Sequence, residues 1–263
     1  MTFTGFKVEY PEYEVITPQT KQSFTLRSLN VSEEEHLKGS LVTPNKVADH
    51  LNSCIFQTLV KKPAEINSLD AFLRGVTLKD RDALLYGLYH ITYEEIRNYQ
   101  VRCSKCSNEY SVTVQASSTF NFNPYPADNI LKERSNFELP VTKGVFVNLK
   151  QPTLFDEMTG IKTLSVRPGT TLDLITETLI IEDFTQDIQE RKEPLIYKDR
   201  VDVIDAYMSL PARDKRFIFK QYTEKFGKYG VDLKMQSNCS SCGNEDVHTI
   251  DLVESFFRSL YSA

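Results

Sequence analysis

Four of the five cysteines fall into two copies of one spacing, Cys103-Ser104-Lys105-Cys106 and Cys239-Ser240-Ser241-Cys242. A two-residue gap lets two thiolates turn toward one point from a tight turn, which is half of a tetrahedral metal site. Two such pairs complete a four-thiolate site of the kind that holds one structural zinc ion, with Cys103, Cys106, Cys239 and Cys242 as its ligands. The stretch from Cys106 to Cys239 is far longer than a compact zinc ribbon uses, so a shared site must be closed by the tertiary fold. Other chemistries fit less well. A redox dithiol wants thioredoxin-like βαβ surroundings, which neither pair has. Two disulfides belong to an oxidising compartment. A catalytic zinc needs an open position, and four thiolates leave none for water. His248, shortly after Cys242, is able in principle to replace a ligand but reads as an ordinary strand histidine. Cys54, in the apolar stretch Cys54-Ile55-Phe56, reads as a small buried side chain.

The elements that must carry these thiols read as β-hairpins. Tyr99 and Val101 alternate with polar residues before the first pair, and Val112 and Val114 follow it. Val231, Leu233 and Met235 alternate before the second pair, with Val247 and Ile250 after it. Ser107-Asn108 and Gly243-Asn244 follow the two pairs, and Gly or Asn suits the positive φ of such a turn.

The chain also resembles itself. Leu26-Arg-Ser-Leu-Asn-Val31 matches Leu149-Lys-Gln-Pro-Thr-Leu154, and Leu69-Asp-Ala-Phe-Leu73 matches Ile204-Asp-Ala-Tyr-Met208. Leu78-Lys-Asp-Arg-Asp82 matches Leu210-Pro-Ala-Arg-Asp214, and Cys103 and Cys106 recur as Cys239 and Cys242. Four blocks in one order point to a tandem duplication. The expected fold is α+β: two helix-rich halves with zinc-knuckle β-hairpins that meet near a pseudo-two-fold axis. Residues 1–19 read as an N-terminal extension, 20–115 as the first repeat, 116–145 as a linker, 146–252 as the second repeat and 253–263 as an aromatic tail. Within the repeats, Ser32 to Glu35 reads as a capping box, residues 45–60 as a helix, Thr77 with Asp80 as a helix start, and Ser209 as the cap of a helix with Pro211 in its first turn. The linker segment Asn121-Phe-Asn-Pro-Tyr-Pro126 is turn-rich, yet too apolar to hang free. The tail carries Phe256, Phe257, Leu260 and Tyr261, which either fold back on the chain or dock into a partner.

Composition narrows the function. With 31 basic and 36 acidic residues the chain has a net charge of −5, which argues against bulk attraction to nucleic acid or to anionic lipid. A chain that is 40% hydrophobic and 11% aromatic is not disordered. Apolar runs fall far short of the roughly 20 residues a bilayer span needs, and the N-terminus lacks a signal-peptide core, so a soluble protein of a reducing cytoplasm is expected. No phosphate-binding glycine loop, metalloprotease or nucleophile-elbow motif is present, and His36, His50, His90 and His248 have no metal-type spacing. Neither an enzyme nor a small-molecule substrate is expected. A zinc-ribbon nucleic-acid-binding module is the alternative, but Glu109, Glu245 and Asp246 offset Arg102 and Lys105 beside the cysteines.

Leu210-Pro-Ala-Arg-Asp214, the Cys239/Cys242 pair with Gly243-Asn244, and Ser255-Phe256-Phe257, taken in that order with Cys103 and Cys106 as the earlier knuckle, resemble the T4-type bacteriophage baseplate protein family. That family includes a baseplate hub (central spike complex) subunit and a hub assembly catalyst of contractile tails. The resemblance implies a non-enzymatic protein of tail morphogenesis that binds hub or wedge proteins, either as a virion component or as a dissociating assembly chaperone, made in the host cytoplasm. The first knuckle departs from the pattern, with Ser107 where the second has Gly243.

Overall fold

The computed structural model describes residues 8–40, 44–93, 96–115, 121–164, 166–187, 193–232 and 234–249. The fold is mixed helix and strand, with small antiparallel sheets and no large one among the described residues. Phe256, Phe257, Leu260 and Tyr261 lie outside the described residues.

The first half opens with β1 (Glu12–Ile16) and β2 (Ser23–Arg27), followed by α1 (Val31–Ser40), α2 (Pro44–Thr58), β3 (Leu59–Lys61), α3 (Leu69–Gly75) and α4 (Leu78–Thr92). Its sheet runs β1-β2-β3, all antiparallel. A hairpin of β4 (Ile96–Arg102) and β5 (Glu109–Gln115) carries the first cysteine pair, and β6 (Asn121–Asn123) follows. The second half has β7 (Ser135–Glu138), β8 (Val145–Leu149), α5 (Leu154–Thr163), α6 (Leu172–Thr178), β9 (Ile181–Gln186), β10 (Leu195–Tyr197), α7 (Arg200–Ser209) and α8 (Ala212–Tyr222). Its sheet runs β10-β9-β8-β7. A π-helical turn at Thr223–Gly227 leads to β11 (Gly230–Asp232), and the hairpin of β12 (Lys234–Asn238) and β13 (Glu245–Thr249) carries the second pair. The first strand of each sheet thus lies in a stretch that the sequence assigned to the extension (1–19) or the linker (116–145). No helix among the described residues is long and apolar enough to cross a membrane.

Several local hydrogen bonds recur in the two halves. The turn between β1 and β2 is pinned by Asp80, whose Oδ1 accepts the Gln19 N–H (2.8 Å) and whose Oδ2 accepts the Thr20 N–H (3.1 Å) and hydroxyl (2.7 Å). Asp214 does the same for the turn between β7 and β8: Oδ1 accepts the Val141 N–H (2.9 Å), and Oδ2 accepts the Thr142 N–H (3.0 Å) and hydroxyl (2.7 Å). Both aspartates are fully buried, and a buried carboxylate needs such donors to offset its lost hydration. Strand pairing slips at Leu26 in one sheet and at Leu149 in the other. Past the slip, Arg27 pairs with Glu33 (2.5 Å) and Lys150 with Asp156 (2.6 Å). Phe72 on α3 and Tyr207 on α7 fill matching places and are among the largest fully buried side chains.

These bonds correct three details of the sequence reading. The capping box of α1 is Asn30 with Glu33, not Ser32 with Glu35: Asn30 Oδ1 accepts the Glu33 N–H while the Glu33 carboxylate accepts the Asn30 N–H. Arg27 holds that carboxylate in place, so the box closes two residues earlier, and Thr153 with Asp156 forms its counterpart on α5. Ser209 ends α7 instead of capping α8, whose N-cap is Pro211. The residue equivalent to Asp214 is Asp80 and not Asp82, because Asp80 faces the turn. Thr77 does start α4, accepting the Asp80 N–H.

The halves are tied along a broad seam. Leu78 N–H bonds to the Pro152 carbonyl (3.3 Å) and Leu154 N–H to the Val76 carbonyl (3.0 Å). Arg81 makes a two-pronged pair with Glu157 (2.5 and 3.1 Å), and the Arg74 guanidinium lies 3.6 Å from the Phe155 ring centroid. The halves also exchange segments. Val231 on β11 and Met235 on β12 join the first core, whereas Tyr125 and Ile130 of the linker join the second.

Two outcomes follow from this packing. Burial raises the Asp80 carboxyl to about 6 against the donors around it. The folded state therefore keeps that proton to higher pH than the unfolded chain. The stability linked to Asp80 is full below about pH 4, falls as pH rises through about 6 and is level above that. Asp80→Asn leaves a turn N–H without an acceptor, so it is expected to cost about 1–3 kcal/mol at pH 7 in denaturant titrations, with a larger deficit at pH 4. Gly87 lies where α4 crosses β1, and a Cβ there would stand 2.5 Å from a Val15 methyl. Gly87→Ala is expected to lose about 1–3 kcal/mol by overpacking, where an exposed helical site would gain.

Candidate metal centre

Both cysteine turns are built by the same local bonds. Cys103 N–H donates to the Asn108 carbonyl (2.9 Å) and Ser107 N–H to the Cys103 carbonyl (3.0 Å). In the second turn Cys239 N–H donates to the Asn244 carbonyl (2.9 Å) and Gly243 N–H to the Cys239 carbonyl (2.9 Å). Each turn needs one left-handed residue at the same place, Ser107 with φ 61° and Gly243 with φ 68°. Glycine takes this conformation freely; Ser107 takes it at a small steric cost, which explains the departure between the two turns without any change of geometry.

The fold brings the two turns face to face. Cys103 and Cys242 sulfurs lie 3.7 Å apart, and Cys106 and Cys239 sulfurs 3.6 Å apart. All four sulfurs lie within 4.8 Å of one another, the only such ligand group among the described residues. A tetrahedral ion with metal–sulfur bonds of about 2.3 Å sets its sulfurs about 3.8 Å apart, so the cross-turn distances fit an ion at the centre. A disulfide requires about 2.05 Å, and all five cysteines are free thiols. Cys103 and Cys239 are buried while Cys106 and Cys242 are exposed, so each turn offers one inner and one outer sulfur, paired crosswise.

Electrostatics favour a cation at that centre. The backbone N–H groups of Cys106 and Lys105 favour the Cys103 thiolate, yet burial and the crowding thiols of Cys106 and Cys242 hold it up at about 12. Burial also opposes the Cys239 thiolate, but the N–H groups of Cys242 and Ser241, with donation from the neighbouring thiols, bring it down to about 7. The Cys103 and Cys242 thiols are raised while Cys239 is lowered, because like charges this close cannot all ionise in the absence of a counter-charge. A divalent cation supplies that counter-charge, and its binding releases the remaining protons.

The turns are also bonded to each other away from sulfur. Tyr110 follows Cys103 at the interval by which Asp246 follows Cys239, and each crosses to the opposite hairpin. Tyr110 hydroxyl meets Ser237 Oγ at 2.7 Å and His248 Nε2 at 3.3 Å. Asp246 accepts the Ser104 N–H (3.2 Å) and the Ser104 hydroxyl. His248 is thus held in a hydroxyl network on the hairpin stalks, and Cys54 is buried in the first core, its thiol pushed up to about 12 by desolvation. Sequence reasoning brought the four cysteines together and missed these cross-bonds, although the shared position of Tyr110 and Asp246 was a usable signal.

A family model described as T4 bacteriophage base plate protein matches residues 10–258, nearly the whole chain. Comparison with curated proteins and with solved structures found no match. A chain matched over this length, both cysteine turns included, belongs to the T4 bacteriophage base plate protein family.

Proposed function

We propose that this baseplate protein is a structural or assembly component of the tail hub, a non-enzymatic adaptor whose two duplicated halves are clasped by one structural zinc ion on Cys103, Cys106, Cys239 and Cys242. It binds other baseplate proteins, of hub or wedge, while the tail is assembled in the host cytoplasm, as a virion component or a transient chaperone. The observation that carries the reading is the crosswise set of sulfurs, 3.6 and 3.7 Å apart, delivered by two matching turns far apart in the chain. Zinc suits this donor set: it takes four thiolates in a closed tetrahedron, stabilises fold and performs no redox chemistry. Such an ion contributes on the order of 10 kcal/mol to the folded state, comparable with the stability of a whole domain.

The duplication is supported by the paired aspartate clamps, capping boxes and strand slips. The adaptor role is supported by the family, by the closed coordination and by the absence of catalytic motifs in the sequence. One consequence is a split between stability and chemistry. Cys106→Ser is expected to lower the unfolding free energy by at least about 3 kcal/mol, a drop of about 10 °C in Tm at this chain length. Chelation should match this loss in the natural protein and leave the variant unchanged. A variant as stable as the natural chain contradicts the clasp. The role itself is tested by co-expression with hub and wedge proteins of the same phage: a stoichiometric complex that survives purification is expected, and is expected to weaken in Cys106→Ser. Salt-sensitive binding to a DNA duplex with no such complex would favour the nucleic-acid reading instead.

A further inference from the structure

Asp246 lies beside the four sulfurs without belonging to their group, and it is only 7% exposed. It is the second residue of β13, and its donors come from both hairpins. Asn244 Nδ2, from the turn before it, donates to Oδ1 (2.9 Å). From the other hairpin, Ser104 N–H donates to Oδ2 (3.2 Å) and the Ser104 hydroxyl donates to Oδ1. Ser104 directly follows Cys103, so these two bonds hold the turn that presents Cys103 and Cys106. A carboxylate that receives several donors makes charge-assisted bonds, which are stronger than neutral ones.

The two cross-bonds do different things. Tyr110 holds the matching position after Cys103, but its hydroxyl reaches Ser237 on β12 and His248 on β13, short of the cysteine turn. Asp246 reaches the cysteine turn itself. The first turn divides its N–H groups accordingly: those of Lys105 and Cys106 favour the Cys103 thiolate, while that of Ser104 faces Asp246. The first turn is also the one with a non-glycine residue, Ser107, in the left-handed region, so it gains most from an outside brace.

We infer that Asp246 is a positioning residue for the metal: it braces the first cysteine turn through Ser104, holds Cys103 and Cys106 facing Cys239 and Cys242 before an ion binds, and so raises zinc affinity. The inference rests on the zinc reading above. Ordering a turn in advance removes an entropy cost from the binding step. Outer partners that orient a metal's ligands typically change affinity about 10–100-fold.

Zinc affinity of the full-length protein, measured by competition with a chromophoric chelator, tests it in the natural chain, Asp246→Asn, Ser104→Ala, the double variant and Tyr110→Phe. Asp246→Asn is expected to weaken zinc binding at least about ten-fold while X-ray absorption still shows four sulfur neighbours. Ser104→Ala keeps the backbone bond and loses the hydroxyl, so a loss of at least about three-fold is expected. The double variant should bind no more than about two-fold weaker than Asp246→Asn, because both changes cut one brace. Losses that add in the double variant assign the effect to the charge of Asp246 alone and overturn the brace. An equal loss in Tyr110→Phe assigns it to hairpin docking in general and does the same. Zinc bound as tightly by Asp246→Asn as by the natural chain overturns the brace and leaves the zinc reading standing, whereas a natural chain that binds no zinc removes both. Ser104 is exposed, so Ser104→Ala decides where Asp246→Asn fails to fold: natural affinity in that variant overturns the brace.

Discussion

Four sulfurs converging from two distant turns are the constraint on which the rest of this structure depends. Closing the long loop from Cys106 to Cys239 costs conformational entropy, and thiolates gathered within 4.8 Å repel one another. The protein meets both costs with geometry fixed in advance. Each turn is closed by two backbone hydrogen bonds of its own, its inner sulfur receives backbone N–H groups, and Tyr110 and Asp246 bond across to the opposite hairpin. Both hairpins are rooted in the core of the first half, the first through Tyr99, Val101 and Val112 and the second through Met235. A cation held by all four sulfurs would join hairpins from both halves of the chain.

The two cysteine turns are reached by similar local bonds. The aspartate clamp, the capping box with its ion pair and the strand slip all recur, so the backbone reaches each cysteine turn by an equivalent path. The differences are instructive. Where one half uses Arg27 with Glu33 the other uses Lys150 with Asp156, shortening both partners while keeping the contact. Where one turn has Gly243 the other tolerates Ser107 at nearly the same φ.

Much of the site was legible because cysteine spacing is itself geometry: a two-residue gap can make only a few turns, and two identical gaps imply one centre. The mixed helix and strand character of the fold was legible in outline, and Thr77 announced its helix. The finer register was not. Asp82 and Asp214 align by the Arg-Asp dipeptide, whereas Asp80 and Asp214 align by what they bond, and only the turn they face distinguishes the two. Ser32 with Glu35 satisfied the capping pattern as well as Asn30 with Glu33 did; the contact with Arg27, across the end of a strand, decided between them. Tyr110, Ser104 and Asp246 escaped notice because a hydrogen bond between hairpins leaves no local pattern, only a matched distance from the cysteines.

X-ray absorption at the metal edge of the purified full-length protein, with the metal counted per chain, tests the central claim most directly. The account predicts one zinc ion per chain with four sulfur neighbours at about 2.3 Å and no lighter ligand. Two ions per chain, a nitrogen or oxygen ligand in the first sphere, or a folded protein of full stability with no metal at all would contradict it.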